Sequence, residues 1–451
     1  MSAYKRILAL ILSLLILLSL AACAVQQGED YTEFVPPEET DTLVVYGNSL
    51  ISSYMNNAIT LFKREYPNVE VEYRKESSQD NYSNTSLNAE LAAGEGPDVI
   101  VDYYFNLIYD LKLFKAMETS VYADLAPFFA WDKSIKLSDY NEAAMNAGMY
   151  KGHRYMVPLS FTSMVWVTTQ EALDEAGLDI GSGRQDFTKV MDRLRKYKQE
   201  NPDQTIISND MAPGQMLWLF CPWCGIESVD LEEKQVTVDT PQWRALIDAY
   251  KDLFYEDDWV NKTLAEQYGV DLTERRTLFQ WEDSLSNLAD EYSVLKSTQT
   301  PVLLNCPSFD GQVIGQPDVM AFIREGSPNQ LNAWRFLKIL LSEEIQSDTR
   351  IYGINLPVLR SAIKPKLTEY FTQRFGPETM KTEYGLLTRA EVTEEEIDAI
   401  IDIIYEVDDC RIDPVIGWVC DILMFPYIEE GSSYESCLLT LEDKLTLMLN
   451  E

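Results

Sequence analysis

Histidine is almost missing from this chain: His153 is the one copy in 451 residues. A multi-histidine zinc site is therefore excluded, and a Ser-His-Asp triad would have to run through that residue. Basic residues are scarce as well. Lys and Arg number 37 against 73 Asp and Glu, a formal charge of −36, which repels a phosphate backbone and leaves no basic footprint for nucleic acid. No long apolar run follows the first twenty-odd residues, and neither an internal repeat nor a coiled-coil heptad is present. Gly181-Ser182-Gly183 lacks the lysine and glycine spacing of a phosphate loop and reads as a linker. What remains is a packed globular composition, 46% hydrophobic and 11% aromatic. The length exceeds the roughly 250–300 residues at which a single core stops growing, so two lobes are expected.

The start of the chain is a targeting segment. Lys5 and Arg6 precede an apolar run from Ile7 to Leu20 and then Ala21-Ala22-Cys23, the order of an export signal. Leu20-Ala21-Ala22-Cys23 resembles the lipobox of bacterial lipoproteins, which implies cleavage before Cys23 and acyl chains on that residue. Removing residues 1–22 takes away two cations and no acid, leaving the mature chain near −38. Residues 24–40 show no apolar period and carry Pro36-Pro37, which reads as a solvated tether with a reach of about 20–25 Å.

From residue 41 the pattern alternates. Leu43–Tyr46 reads as a buried strand, Met55, Ala58, Ile59, Phe62 and Tyr66 as a helix stopped by Pro67, and Val69, Val71 and Tyr73 as a second strand. Leu87 and Leu91 mark another helix, broken at Gly94-Glu95-Gly96-Pro97, before a third strand at Asp98–Val101. Such a succession builds a mostly parallel sheet, whose ligands bind beyond the carboxyl ends of the strands. Candidate ligand residues are therefore Asn48 and Ser49, then Ser77 and Ser78, then Asp102, Tyr103 and Tyr104.

The run Phe62-Lys63-Arg64-Glu65-Tyr66-Pro67-Asn68-Val69, followed by Leu91-Ala92-Ala93-Gly94-Glu95-Gly96-Pro97-Asp98-Val99-Ile100, resembles the opening of the extracellular solute-binding proteins of ABC importers, in the carbohydrate-binding group that includes maltose-binding protein. Tyr150–Pro158, the stretch Asp230–Pro241, Pro328–Gln346 and Gly353–Ala362 continue the resemblance in order. It is weak over the last ninety residues. The resemblance implies an α/β, periplasmic-binding-protein-like fold of two discontinuous lobes, residues 41–157 with 320–355 and residues 158–319 with 356–451. Hinge strands are expected near Val157–Phe161, Asp318–Phe322 and Gly353–Val358. It also implies a small solute, a sugar or oligosaccharide, captured between the lobes by a lipid-anchored monomer on the extracellular face of the membrane and delivered to an ABC permease. Neither catalysis, cofactor nor metal is called for.

Sugars offer hydroxyls to donors and acceptors and C–H faces to rings, and the chain holds nine Trp and 25 Tyr. Trp281 with Glu282 falls where the family often stacks a ligand in its second lobe; Trp131-Asp132 is a further candidate, and Asp310 is either a ligand residue or a turn residue. The acidic balance favours neutral or cationic cargo. Beyond Cys23, six cysteines permit up to three disulfides. Cys221-Pro222-Trp223-Cys224 has redox spacing, but Gly225 and a hairpin follow it where a thioredoxin-type site would open a helix, so a local disulfide or two buried thiols is expected. Thr393 before Glu394-Glu395-Glu396, with Ile397, Ile400, Ile401 and Ile404, predicts a capped amphipathic helix, and Tyr434–Leu449 a final one. Two other classes compete: an exported polysaccharide-acting hydrolase built on an acid pair, and a ligand sensor for a membrane kinase.

Overall fold

The computed structural model describes residues 34–75, 85–103, 112–208, 223–255, 277–282, 284–349, 355–372, 380–382, 385–387, 389–412 and 416–450. The chain begins with strand β1 (Thr42–Gly47) and helix α1 (Ser52–Glu65), whose Met55, Ala58 and Phe62 are fully buried. That helix stops one residue before Tyr66, because Pro67 disfavours helical backbone in the residue preceding it. Strand β2 (Glu70–Lys75), helix α2 (Thr85–Ala92) and strand β3 (Val99–Tyr103) follow. β1 pairs in parallel with both β2 and β3, the arrangement anticipated from the alternating pattern.

Helices α3 (Lys112–Glu118) and α4 (Ala126–Trp131) lead to a short hairpin, β4 (Met149–Tyr150) and β5 (His153–Arg154). Strand β6 (Val157–Ser163) is buried at every position and runs through Met164 into β7 (Val165–Thr169), which belongs to a different sheet. The second sheet adds β8 (Thr205–Ser208), β11 (Thr277–Glu282) and β12 (Pro301–Asn305) in the order β12-β7-β11-β8. Between β8 and β11 lie the hairpin of β9 (Val229–Asp230) and β10 (Gln235–Val236) and helix α5 (Pro241–Ala249). Thr240 caps α5, accepting the Trp243 N–H at 3.1 Å.

Helix α6 (Leu285–Lys296) separates β11 from β12. Strand β13 (Ile314–Ile323) then returns to the first sheet, followed by helix α7 (Gln330–Leu340), strand β14 (Leu356–Pro357), helix α8 (Arg360–Thr372), the small ribbon β15 (Met380–Thr382) with β16 (Gly385–Leu387), helix α9 (Glu394–Ile404), strand β17 (Asp409–Cys410) and helix α10 (Tyr434–Asn450). The first sheet reads β14-β6-β13-β3-β1-β2, with β17 paired to β13. β14, β6 and β13, the strands over which hinges are expected, are thus adjacent in one sheet, and β6 and β13 are the two that connect it to the second sheet.

Three apolar clusters hold this frame. One face of the first sheet packs on α1 and α7 and continues through α6, α8 and α9. Its other face carries Ile100, Met320 and Phe322 against α2 and α3, and the second lobe has its own core around Trp166, Trp243 and Phe279. Burying side chains of this size contributes about 1.5–3 kcal/mol each. The motif Gly96-Pro97-Asp98 has a structural explanation. Gly96 turns with φ +105°, and Asp98, 2% exposed, accepts hydrogen bonds from the Val44 N–H at 2.7 Å, Ser327 Oγ at 2.6 Å and Asn329 Nδ2 at 2.9 Å, which binds β1 and β3 to the start of α7. In α9, Thr393 and Glu396 form a capping box, and Ile397, Ile400 and Ile404 are buried as their spacing demands. α10 buries Leu438, Leu441 and Leu445 in the second lobe's core.

Cys306, Cys410 and Cys437 are buried thiols, so three disulfides do not form. Cys224 sits buried in the second core beside Trp223; Cys221 and Cys23 lie outside the described residues.

Candidate functional site

The register of the first sheet defines a floor. Gly47, the last residue of β1, pairs with Val101, so Asn48 and Ser49 leave the sheet at the same end at which Tyr103 closes β3. Tyr103 pairs with Val319, Val319 with Ser160, and Ser160 with Pro357, which carries the same row across β3, β13, β6 and β14. This row lies at the carboxyl ends of the parallel strands β1 and β3, where α/β sheets bind ligands.

The floor is polar. Asn48 is 8% exposed, and the buried hydroxyls of Ser49 and Tyr73 have no hydrogen-bond partner among the described residues. Tyr73 stands opposite Val45 on β2, and its hydroxyl comes within 3.3 Å of where a Cβ on Gly47 would be, so Gly47 makes room for it. Burial pushes the Tyr73 phenol up to about 12, keeping it a protonated donor. In the middle of the row the register of β13 shifts around Val319, and Asp318 is the one residue of that strand that is not buried. Its Oδ2 accepts from Ser160 Oγ at 3.2 Å and from the Asn355 N–H at 3.4 Å. Below them the fully buried Lys366 of α8 donates from Nζ to the Asn355 carbonyl at 2.9 Å. Burial draws that ammonium down to about 7 against the opposing pull of Asp318 and Asp348. Gln346, also fully buried, donates to the Leu159 and Leu340 carbonyls at 3.0 Å and accepts the Leu359 N–H at 3.3 Å. β14, β6 and β13 are thus stitched together at this level.

The second sheet presents the facing row. Glu282 and Asn305 both pair with Val165, and Trp281 pairs with Trp166. Val165 follows Ser160 by five residues of nearly extended chain, a separation of roughly 16 Å between the two rows. Ser163 Oγ donates to the Ile404 carbonyl at 2.6 Å and Asn305 Nδ2 to the Ile403 carbonyl at 2.7 Å, which fastens the back of the crossing to the end of α9.

The sequence candidates distribute as follows. Asn48, Ser49 and Tyr103 stand on the first row, Trp281 and Glu282 at the end of β11. Asp102 is fully buried within β3; the phenol of Tyr122 is raised first by its own burial and second by the charge of Asp102. Asp310 is exposed in a turn closed by the Gly311 N–H to the Ser308 carbonyl at 3.3 Å. Trp131 and Asp132 lie at the end of α4, with the Asp132 carboxylate against Trp334 and Lys338. Ser77, Ser78 and Tyr104 lie outside the described residues. Tyr73, Ser160, Asp318 and Lys366 join this level without a sequence motif that marks them as ligand residues. A signal existed for Lys366: Ala362, Ile363, Leu367 and Tyr370 are the buried stripe of α8, and Lys366 falls inside it.

A separate cavity of about 450 Å³ lies where the β9–β10 hairpin meets the first lobe, lined by residues including Phe114, Tyr150, Asp230, Arg411 and Ile412. Its first-lobe wall comes from α3 and the residues that precede β6, and neither Asn48 nor Trp281 lines it. It belongs to the seam between the lobes.

The bacterial extracellular solute-binding protein family matches residues 57–372, more than two thirds of the chain. This chain belongs to that family. No curated protein matches the sequence. Among solved structures, the solute-binding protein is similar to the sugar-binding protein MalE from Xanthomonas citri, with a TM-score of 0.65 and 15% identity over 91% of this chain and 97% of that one. It is also similar to the cyclic alpha-maltosyl-1,6-maltose binding protein from Arthrobacter globiformis, with a TM-score of 0.59 and 14% identity over 91% and 99%. An ABC substrate-binding protein from Listeria monocytogenes in complex with cycloalternan gives 0.58 and 14% over 92% and 100%. At these identities the likeness establishes the two-lobed fold. No helix among the described residues is long and apolar enough to cross a membrane.

Proposed function

We propose that this solute-binding protein captures a sugar or oligosaccharide between the two rows and hands it, unchanged, to an ABC permease, while Cys23 holds it to the outer face of the cell membrane through acyl chains. The observation that supports the reading is the pair of strand-end rows on two sheets that β6 and β13 connect. Ser49, Tyr73 and Tyr103 offer hydroxyls from one side, and Trp281 with Glu282 offers a ring and a carboxylate from the other. A ligand that touches both rows favours the closed arrangement by its contacts there, and closure needs backbone change only at the crossings. The sugar ligands named for the similar structures support the class of cargo.

Thermal unfolding in the presence of a panel of mono- and oligosaccharides, amino acids, peptides and polyamines tests the reading. A cognate sugar at about 100-fold excess over its dissociation constant adds about 2.7 kcal/mol of stability. Stabilisation only by an amino acid, peptide or polyamine would refute carbohydrate cargo. Chromatography of the recovered ligand tests the absence of catalysis: intact sugar is expected, and cleavage products would place the chain among the hydrolases.

A further inference from the structure

Seven large apolar side chains are exposed among the described residues. Three of them, Val35 (80%), Trp131 (39%) and Leu137 (41%), lie in the two segments that meet where the start of the chain joins the first lobe. There the Phe34 ring stands edge-on to Phe128 at 5.0 Å and to Trp131 at 6.4 Å, and Phe128 stacks on Trp334 at 5.4 Å. The following residues are fastened to α7: Glu39 pairs with Arg335 at 3.1 Å, and Asn332 Nδ2 donates to the Thr40 and Thr42 carbonyls at 2.9 and 3.2 Å.

Lys133 and Lys136, both exposed, follow Trp131. The acid among them, Asp132, is already engaged by Lys338 at 2.8 Å and by the Trp334 indole at 2.9 Å. A chain of net charge −36 thus shows an exposed indole flanked by two ammonium groups, bordered by the exposed acids Glu38 and Asp139. Indole rings favour the headgroup level of a bilayer, and lysines reach from apolar surface toward anionic headgroups. Ten residues separate Cys23 from Phe34, a span of no more than about 40 Å even when fully extended. Under the lipid-anchored reading above, on which this inference rests, the bilayer is always within reach of this face.

We propose that the face of the first lobe formed by Val35, Trp131 and Leu137, flanked by Lys133 and Lys136, rests on the anionic lipid surface to which the chain is anchored. The test uses the full chain, produced with its leader in a bacterial host and reconstituted into phosphatidylglycerol vesicles whose acyl chains carry bromine, a short-range quencher of indole fluorescence. Mass spectrometry first reports acylation at Cys23. Trp166, Trp223, Trp243 and Trp334 are at most 2% exposed and shielded from the quencher; because the proposed face carries Trp131 alone, the wild type is expected to lose the emission of about one of its nine tryptophans. Trp131→Phe should abolish that loss and Trp281→Phe should preserve it. Replacing both Lys133 and Lys136 by Glu should weaken quenching. An acylated wild-type protein whose emission is unchanged would overturn the proposal, as would quenching that survives Trp131→Phe. A chain without acyl groups overturns the anchor itself and takes this inference with it.

Discussion

Lys366 and Asn355 are joined at 2.9 Å: a fully buried ammonium donates to the carbonyl of the residue that precedes β14. Burial lowers the lysine to about 7 from its ordinary 10.5. A cation whose folded value is lowered penalises folding while protonated in both states, and between about 7 and 10.5 the unfolded chain binds the extra proton. The stability of the wild type relative to Lys366→Met should therefore rise with pH across that window, by up to about 1.4 kcal/mol per pH unit. Denaturant unfolding of both proteins at a series of pH values checks this, and parallel curves would refute it.

Glu118 joins the lobes. Its carboxylate meets Lys151 at 2.8 Å and Tyr150 Oη at 3.0 Å on its own side, and Lys234 of the β9–β10 hairpin at 3.3 Å on the other. The Lys151 ammonium is the main cause that holds it near 2. A depressed carboxylate contributes stability above its ordinary value near 4.5 that is lost as pH falls through 2. Glu118→Gln should cost about 1 kcal/mol at pH 7 and little at pH 2. Urea titrations at the two pH values measure the difference.

Trp281→Ala should raise the dissociation constant for the cognate sugar at least about tenfold, or 1.4 kcal/mol, by isothermal calorimetry. The ring is only partly buried against the second core, so the variant should still fold and melt in one transition.

Gly148→Ala tests a close backbone approach. A Cβ there would lie 2.1 Å from the Met156 carbonyl oxygen, a separation no side chain tolerates, and backbone cannot step aside as a flexible side chain can. A loss of about 3 kcal/mol is expected in chemical denaturation.

Much of the frame was legible because local rules and tertiary demands agree in it. Met55, Ala58 and Phe62 repeat at helical spacing and face the core; Pro67 ends that helix; Thr393 and Glu396 close a capping box in front of an isoleucine stripe. The site was less legible. Asn48, Ser49 and Tyr103 follow from the rule about strand ends, but Asp318 becomes part of the floor only through a register irregularity in β13, which no periodicity encodes. Lys366 is hard to read because a lysine in an amphipathic helix usually faces water, and here the neighbouring hydrophobic residues carry it inward. Tyr73 reads as the apolar position of a wet-faced strand, and only the space left by Gly47 gives its hydroxyl a direction.

The aromatic seat of Phe34 has a mechanical corollary. With residues 34–42 bolted to the first lobe, the start of the described chain and that half of the molecule form a single body. Swinging on capture then falls to the second half, and a distance reporter placed on α10 would register loading as displacement relative to a stationary base.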